Sequence, residues 1–117
     1  QLKASAKGPF TVALRANGMN AEAALQAAGG KLERHPVTRE VITLNLARSR
    51  INNEDLEHMA EFFQPRELDL TDTDITDRAS SHLAGWASLR ILKLGRTRIS
   101  TEAVKQLKYY SPGLVIH

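Results

Sequence analysis

Apolar and polar positions between Val41 and Ile99 recur with a spacing of 24 residues. Val41, Leu44, Leu46, Ser49 and Ile51 fill the first row, and Pro65, Leu68, Leu70, Thr73 and Ile75 fill the second. Leu89, Leu92, Leu94, Thr97 and Ile99 fill the third. Each row holds a pair of leucines one residue apart, the alternation of a strand with one buried face. Stacked in parallel about 4.8 Å apart, such strands place their leucines in columns. Asn52, Thr76 and Ser100 then stand where a helix N-cap belongs. The pattern predicts helices over 53–63, 77–87 and 101–110. Their expected inward columns are Leu56/Ser80/Val104, Met59/Leu83/Leu107 and Phe62/Trp86/Tyr110. The last column predicts an aromatic spine, and Ser80 predicts a gap in an apolar column. Ser49, Thr73 and Thr97 mark the bend after each strand, where a hydroxyl can bond backbone left open by the strand ladder.

Ahead of the repeats, Gln1–Lys7 is small, polar and basic and is expected to be a disordered lead-in. Val12/Leu14 alternation predicts a short strand over Phe10–Ala16, followed by a turn at Asn17-Gly18. Asn20 caps an Ala-rich helix over 21–28 that stops at Gly29-Gly30. Lys31–His35 and Glu40–Leu46 form the arms of a hairpin around Pro36–Thr38. At the far end, Pro112-Gly113 stops the last helix and Leu114–Ile116 is an edge strand, so a complete stack is expected there. A first residue of Gln1 in place of Met leads to the expectation that a signal peptide, a membrane anchor or another domain upstream has been removed, and to the alternative that the chain is a structural fragment of a larger exported or envelope-anchored protein.

The 24-residue frame apolar/Pro-x-x-Leu-x-Leu-x-x-Ser/Thr-x-Ile resembles that of leucine-rich repeats. It is similar to the bacterial kind, which carries a hydroxyl residue where other subfamilies carry Asn or Cys. The helix, Gly29-Gly30, short strand and turn before the first repeat are similar to those of many bacterial, especially planctomycete, members. The resemblance implies an α/β fold: a short solenoid with a curved, mostly parallel sheet and helices on its convex side. It implies one domain over 1–117, with an N-terminal cap at 8–40, repeats at 41–64, 65–88 and 89–112, and a terminal strand at 113–117. A cap has a physical motive, since the first repeat's apolar flank has no preceding neighbour to cover it. The resemblance also implies a non-enzymatic monomer that binds a protein partner through its concave sheet face. By register the contacting residues would be Thr43, Asn45, Arg48, Glu67, Asp69, Thr71, Asp72, Ile91, Lys93 and Arg96.

Charge by segment sharpens this picture. Residues 1–40 carry +3, 41–64 carry −2, 65–88 carry −3 and 89–117 carry +5. Arg48/Asp72/Arg96 and Arg50/Asp74/Arg98 alternate in sign and are expected to attract across neighbouring repeats. An alternative use of the basic end is anion or nucleic-acid binding through Arg90, Lys93, Arg96, Arg98, Lys105 and Lys108. The acidic repeats beside it would repel a long phosphate chain, so nucleic acid is not the expected partner.

Candidate chemistry is sparse. The chain has 117 residues and no Cys, which excludes disulfides, thiolate metal sites and a thiol nucleophile; export and cytosol are both compatible with that. No apolar run is long enough to span a membrane. Asp72-Thr73-Asp74-Ile75-Thr76 matches the nucleophile motif of haloacid-dehalogenase phosphatases, but the same register holds Arg48 and Arg50 or Arg96 and Arg98, so the repeat frame generates it. As a calcium loop that run has Asp77 where Gly belongs and Leu83 where Glu belongs. His58 and His82 share a helix column with no third ligand in the frame. No cofactor, metal or catalytic residue is expected.

Overall fold

The computed structural model describes residues 8–117, so the lead-in expected at Gln1–Lys7 lies outside the described residues. Along the chain come α1 (Pro9–Ala16), α2 (Ala21–Ala27), β1 (Lys31–Arg34), β2 (Val41–Asn45) and α3 (Asn53–Phe62). They are followed by β3 (Glu67–Asp69), α4 (Ala79–Leu83), β4 (Ile91–Lys93), α5 (Thr101–Tyr110) and β5 (Val115–Ile116). The fold is α/β. Its sheet runs β1-β2-β3-β4-β5 in sequence order, with β1 antiparallel to β2 and the other pairs parallel.

The parallel register keeps the 24-residue step. Leu44 faces Leu68, which faces Leu92. These three, with Leu46 and Leu70, are fully buried, and Ile51 and Ile75 close the same layer beneath the bends. The expected hydroxyl column is in place: Ser49 Oγ, Thr73 Oγ1 and Thr97 Oγ1 donate to the carbonyls of Leu46, Leu70 and Leu94 at 2.7, 2.7 and 2.8 Å. Each bond satisfies a backbone carbonyl three residues upstream, where the chain leaves the sheet.

Phe10–Ala16 is a helix, not the expected strand. Val12 is exposed while Phe10 and Leu14, one helical turn apart, are buried. Two alternating apolar residues fit either period, and Pro9 at the first helical position favours the helix. The Thr11 backbone N–H at its start finds its partner far away in sequence. Asp55 Oδ1 accepts from Thr11 N at 3.1 Å and Thr11 Oγ1 at 2.7 Å, and Asp55 Oδ2 accepts from Asn52 N at 3.2 Å. One fully buried carboxyl group thus caps α1 and completes the capping box of α3. Phe10 packs edge-on against Phe63 beside it, with ring centroids 6.5 Å apart.

The aromatic spine is not formed. Trp86 is buried, but Phe62 and Tyr110 are 40% and 74% exposed. A column drawn in steps of three drifts off the face of a helix that turns every 3.6 residues. Inward positions instead follow steps of three and four: Leu56, Met59 and Phe63 in the first repeat, and Ala79, Leu83 and Trp86 in the second. Asp55, Ala79 and Ala103 form a further buried column of helix positions. Ser80 is half-buried in α4 and donates to the Asp77 carbonyl at 2.7 Å; with Ala84, Leu107 and Tyr110 it borders a cavity of about 180 Å³, so its hydroxyl is bonded while space remains beside it.

The helix expected over 77–87 shortens to Ala79–Leu83. Ser80 and Ser81 bond back to the backbone of Asp77 and Arg78. Tight three-residue turns then carry the chain through Gly85 and Trp86 to Leu89.

Two measurements check this packing. A Cβ on Gly8 would overlap the Asp55 carboxyl group. Gly8→Ala and Asp55→Asn should therefore each cost about 2 kcal/mol in urea unfolding, because the carboxyl faces only donors and an amide must turn its NH2 toward one of them. Trp86→Ala should cost about 3–5 kcal/mol. Trp86→Phe should cost less, since the indole Nε1–H is buried without an acceptor among the described residues; equal losses would contradict that environment.

Candidate functional site

Because Leu44, Leu68 and Leu92 point into the core, their strand neighbours point to the opposite face. Thr43, Glu67, Ile91 and Val115 stand in one row of that face, and Asn45, Asp69 and Lys93 in the next. Val115 is 50% exposed. Lys93 Nζ lies 3.6 Å from Glu67 Oε2, a cross-strand ion pair diagonal to the register. Asn45 and Asp69 also serve the fold, accepting from the backbone N–H of Ala47 and Thr71 at 3.0 Å each.

Arg48, Thr71, Asp72 and Arg96 lie beyond the strand ends, at the bend. Arg48, Asp72 and Arg96 each adopt left-handed backbone, with φ of 61°, 58° and 55°. Their bends stack: Arg48 N donates to the Thr71 carbonyl at 2.9 Å and Asp72 N to the Gly95 carbonyl at 2.7 Å. The side chains leave from a rim at the C-terminal ends of the strands, not from the sheet face. The ion pairs formed among the described residues do not include the expected ladders Arg48/Asp72/Arg96 and Arg50/Asp74/Arg98. Those charges stay in water and the bend hydrogen bonds carry the register.

Neighbouring repeats are also joined at the helix starts. Asn53 Nδ2 donates to Thr76 Oγ1 at 2.9 Å, and Thr76 N returns a bond to Asn53 Oδ1 at 3.0 Å. One repeat later, Asp77 Oδ1 accepts from Ser100 N at 2.6 Å and Asp77 Oδ2 from Ser100 Oγ at 2.7 Å. The residue after the expected cap position in one repeat thus grips the expected cap position of the next. The Ser100 backbone bond, followed by the Ser100 hydroxyl bond, holds the Asp77 carboxyl below its ordinary range. Asn52 and Ser100 are the caps the pattern predicts, but α4 is capped at Arg78 and not at Thr76, which is held by Asn53 instead; the pattern also missed this grip, although Asn53 and Asp77 share a register position.

The six basic residues of the anion-binding alternative are spread over several elements. Arg90 precedes β4, Lys93 lies in β4, Arg96 and Arg98 follow it, and Lys105 and Lys108 are on α5. His82 Nδ1 sits 3.8 Å from Glu57 Oε2. Among the described residues no three His, Asp or Glu side chains are placed to share a metal ion. No described helix is long and apolar enough to cross a membrane. No known protein family, curated protein or solved structure matches the chain.

The Asp77 bonds set an acid dependence. A carboxyl group with a lowered folded-state pKa contributes fully above its unfolded value and loses that contribution as pH falls through the folded one. Urea unfolding below about pH 4 should therefore show a stability loss in the native chain that is smaller in Asp77→Asn. Identical acid limbs would remove Asp77 from the account.

Proposed function

We propose that the chain is a short leucine-rich-repeat module that binds a protein partner on the face of its sheet turned away from the helices. The fold reading rests on the strand, bend and helix recurring every 24 residues with leucines in register. The observation that carries the binding reading is the row Thr43, Glu67, Ile91 and Val115. It combines apolar and acidic groups on adjacent strands, on the face opposite the buried leucines. Apolar side chains left open to solvent beside charged ones have the mixed composition of a protein-contact surface. Lys93 beside it, with Arg48, Thr71, Asp72 and Arg96 on the rim, supplies donors and acceptors of both signs.

On this reading the module positions a partner and carries out no reaction. Strand spacing of about 4.8 Å presents successive repeats as a ruled surface, and specificity comes from the side chain each repeat puts on it. Protein captured from native-host lysate and envelope at about physiological salt tests this. A discrete protein retained by the native chain and lost with Ile91→Arg plus Glu67→Arg is the expected result. Capture abolished by nuclease or by salt points to the basic end instead. Capture that survives both substitutions overturns the sheet-face reading.

A further inference from the structure

The opposite edge of the sheet, where the strands begin, holds a feature that no residue of the sheet face explains. Backbone bonds lock the starts of successive strands together: Arg66 N donates to the Ile42 carbonyl and Arg90 N to the Arg66 carbonyl, each at 2.8 Å. Arg66 and Arg90 therefore occupy adjacent rungs about 4.8 Å apart, with side chains departing in the same sense. Both are exposed, and neither takes part in the ion pairs formed among the described residues. Two guanidinium groups on adjacent rungs, neither ion-paired, repel one another.

Arg66 and Ser88 line two cavities at once. One, of about 610 Å³, runs toward Phe62, Phe63 and Ile42. The other, of about 520 Å³, lies between Arg66 and Arg90. Together they make one groove across the start of the strands, with an arginine pair at one end and a 40% exposed aromatic ring at the other. Arg34 also borders the groove, but it is already satisfied by Glu22 at 3.0 Å and the Arg39 carbonyl at 2.9 Å.

We infer that this groove binds an acidic peptide segment of a partner protein, with a carboxylate seated between Arg66 and Arg90 and a neighbouring apolar side chain laid on Phe62. Guanidinium groups take carboxylates through paired, planar hydrogen bonds, and a single carboxylate between two of them relieves their repulsion. A nucleic-acid strand fits less well: Glu40 borders the groove and the two repeats spanning 41–88 are net acidic, which repels a continuous polyanion but tolerates one or two carboxylates. The inference stands apart from the sheet-face reading, since it uses a different edge of the sheet.

The test is fluorescence anisotropy on the full chain with a labelled six-residue peptide alternating glutamate and leucine. Lysine–leucine and glutamate–serine peptides and a single-stranded oligonucleotide serve as competitors. Saturable binding of the glutamate–leucine peptide is expected, weakened about tenfold or more by Arg66→Ala and by Arg90→Ala. Phe62→Ser should weaken it too, while the glutamate–serine peptide should compete poorly. All three positions are exposed, so unchanged thermal melting will show that the variants fold. Ile91→Arg, on the sheet face, should leave this binding unchanged. Absence of binding, indifference to the two arginine substitutions, or tighter binding of the oligonucleotide would each overturn the inference. Loss with Ile91→Arg alone would transfer the peptide to the sheet face.

Discussion

A single 24-residue repeat cannot bury its own leucines, and every other feature of the chain follows from that constraint. Leu44 and Leu46 reach full burial only because Leu68 and Leu70 stack beside them and the helices close over both. Interior repeats cover one another, but the first has no predecessor. The α1 and α2 helices and the antiparallel β1 strand flank it, and the Asp55 carboxyl group ties α1 to α3 from inside the packing. A carboxyl surrounded by three donors is bonded in one geometry only, so it orients the first helix as well as attaching it.

The two edges of the sheet solve different problems. At the C-terminal ends of the strands the chain must turn sharply, and a left-handed residue followed by a bonded hydroxyl makes the same turn in each repeat. That edge is uniform in backbone and varied in charge. At the strand starts the chain arrives from helices of unequal length, because α4 is half as long as α3 and α5. A cavity of about 610 Å³ opens at that end, where Phe62 falls off the inward face of α3.

Much of the framework was legible from residues alone. The leucine columns, the hydroxyl bonds at the bends, the hairpin before the first repeat, and the caps at Asn52 and Ser100 all depend on local spacing. The row Thr43, Glu67, Ile91 followed from the same alternation. Less was legible at the candidate site. Arg48, Asp72 and Arg96 share a register, but their left-handed backbone moves them from the sheet to its rim, and no spacing rule distinguishes a strand residue from the turn that ends it. Phe62 differed from Phe63 only in a helical phase accumulated over two turns.

What the sequence determined by itself was periodic: repeat length, strand register, bend chemistry and the identity of the buried leucines. Each depends on near neighbours or on the same position one repeat away, so a single chain displays it as a pattern. The tertiary structure decided what occurs once. The helix over Phe10–Ala16 is capped by Asp55, 44 residues beyond Thr11, a contact no local pattern displays. Arg66 and Arg90 became a pair because strand stacking sets them side by side. Contacts made once, between residues far apart in sequence, leave no repeat to read, and both the anchor of the fold and the groove at its edge are of that kind.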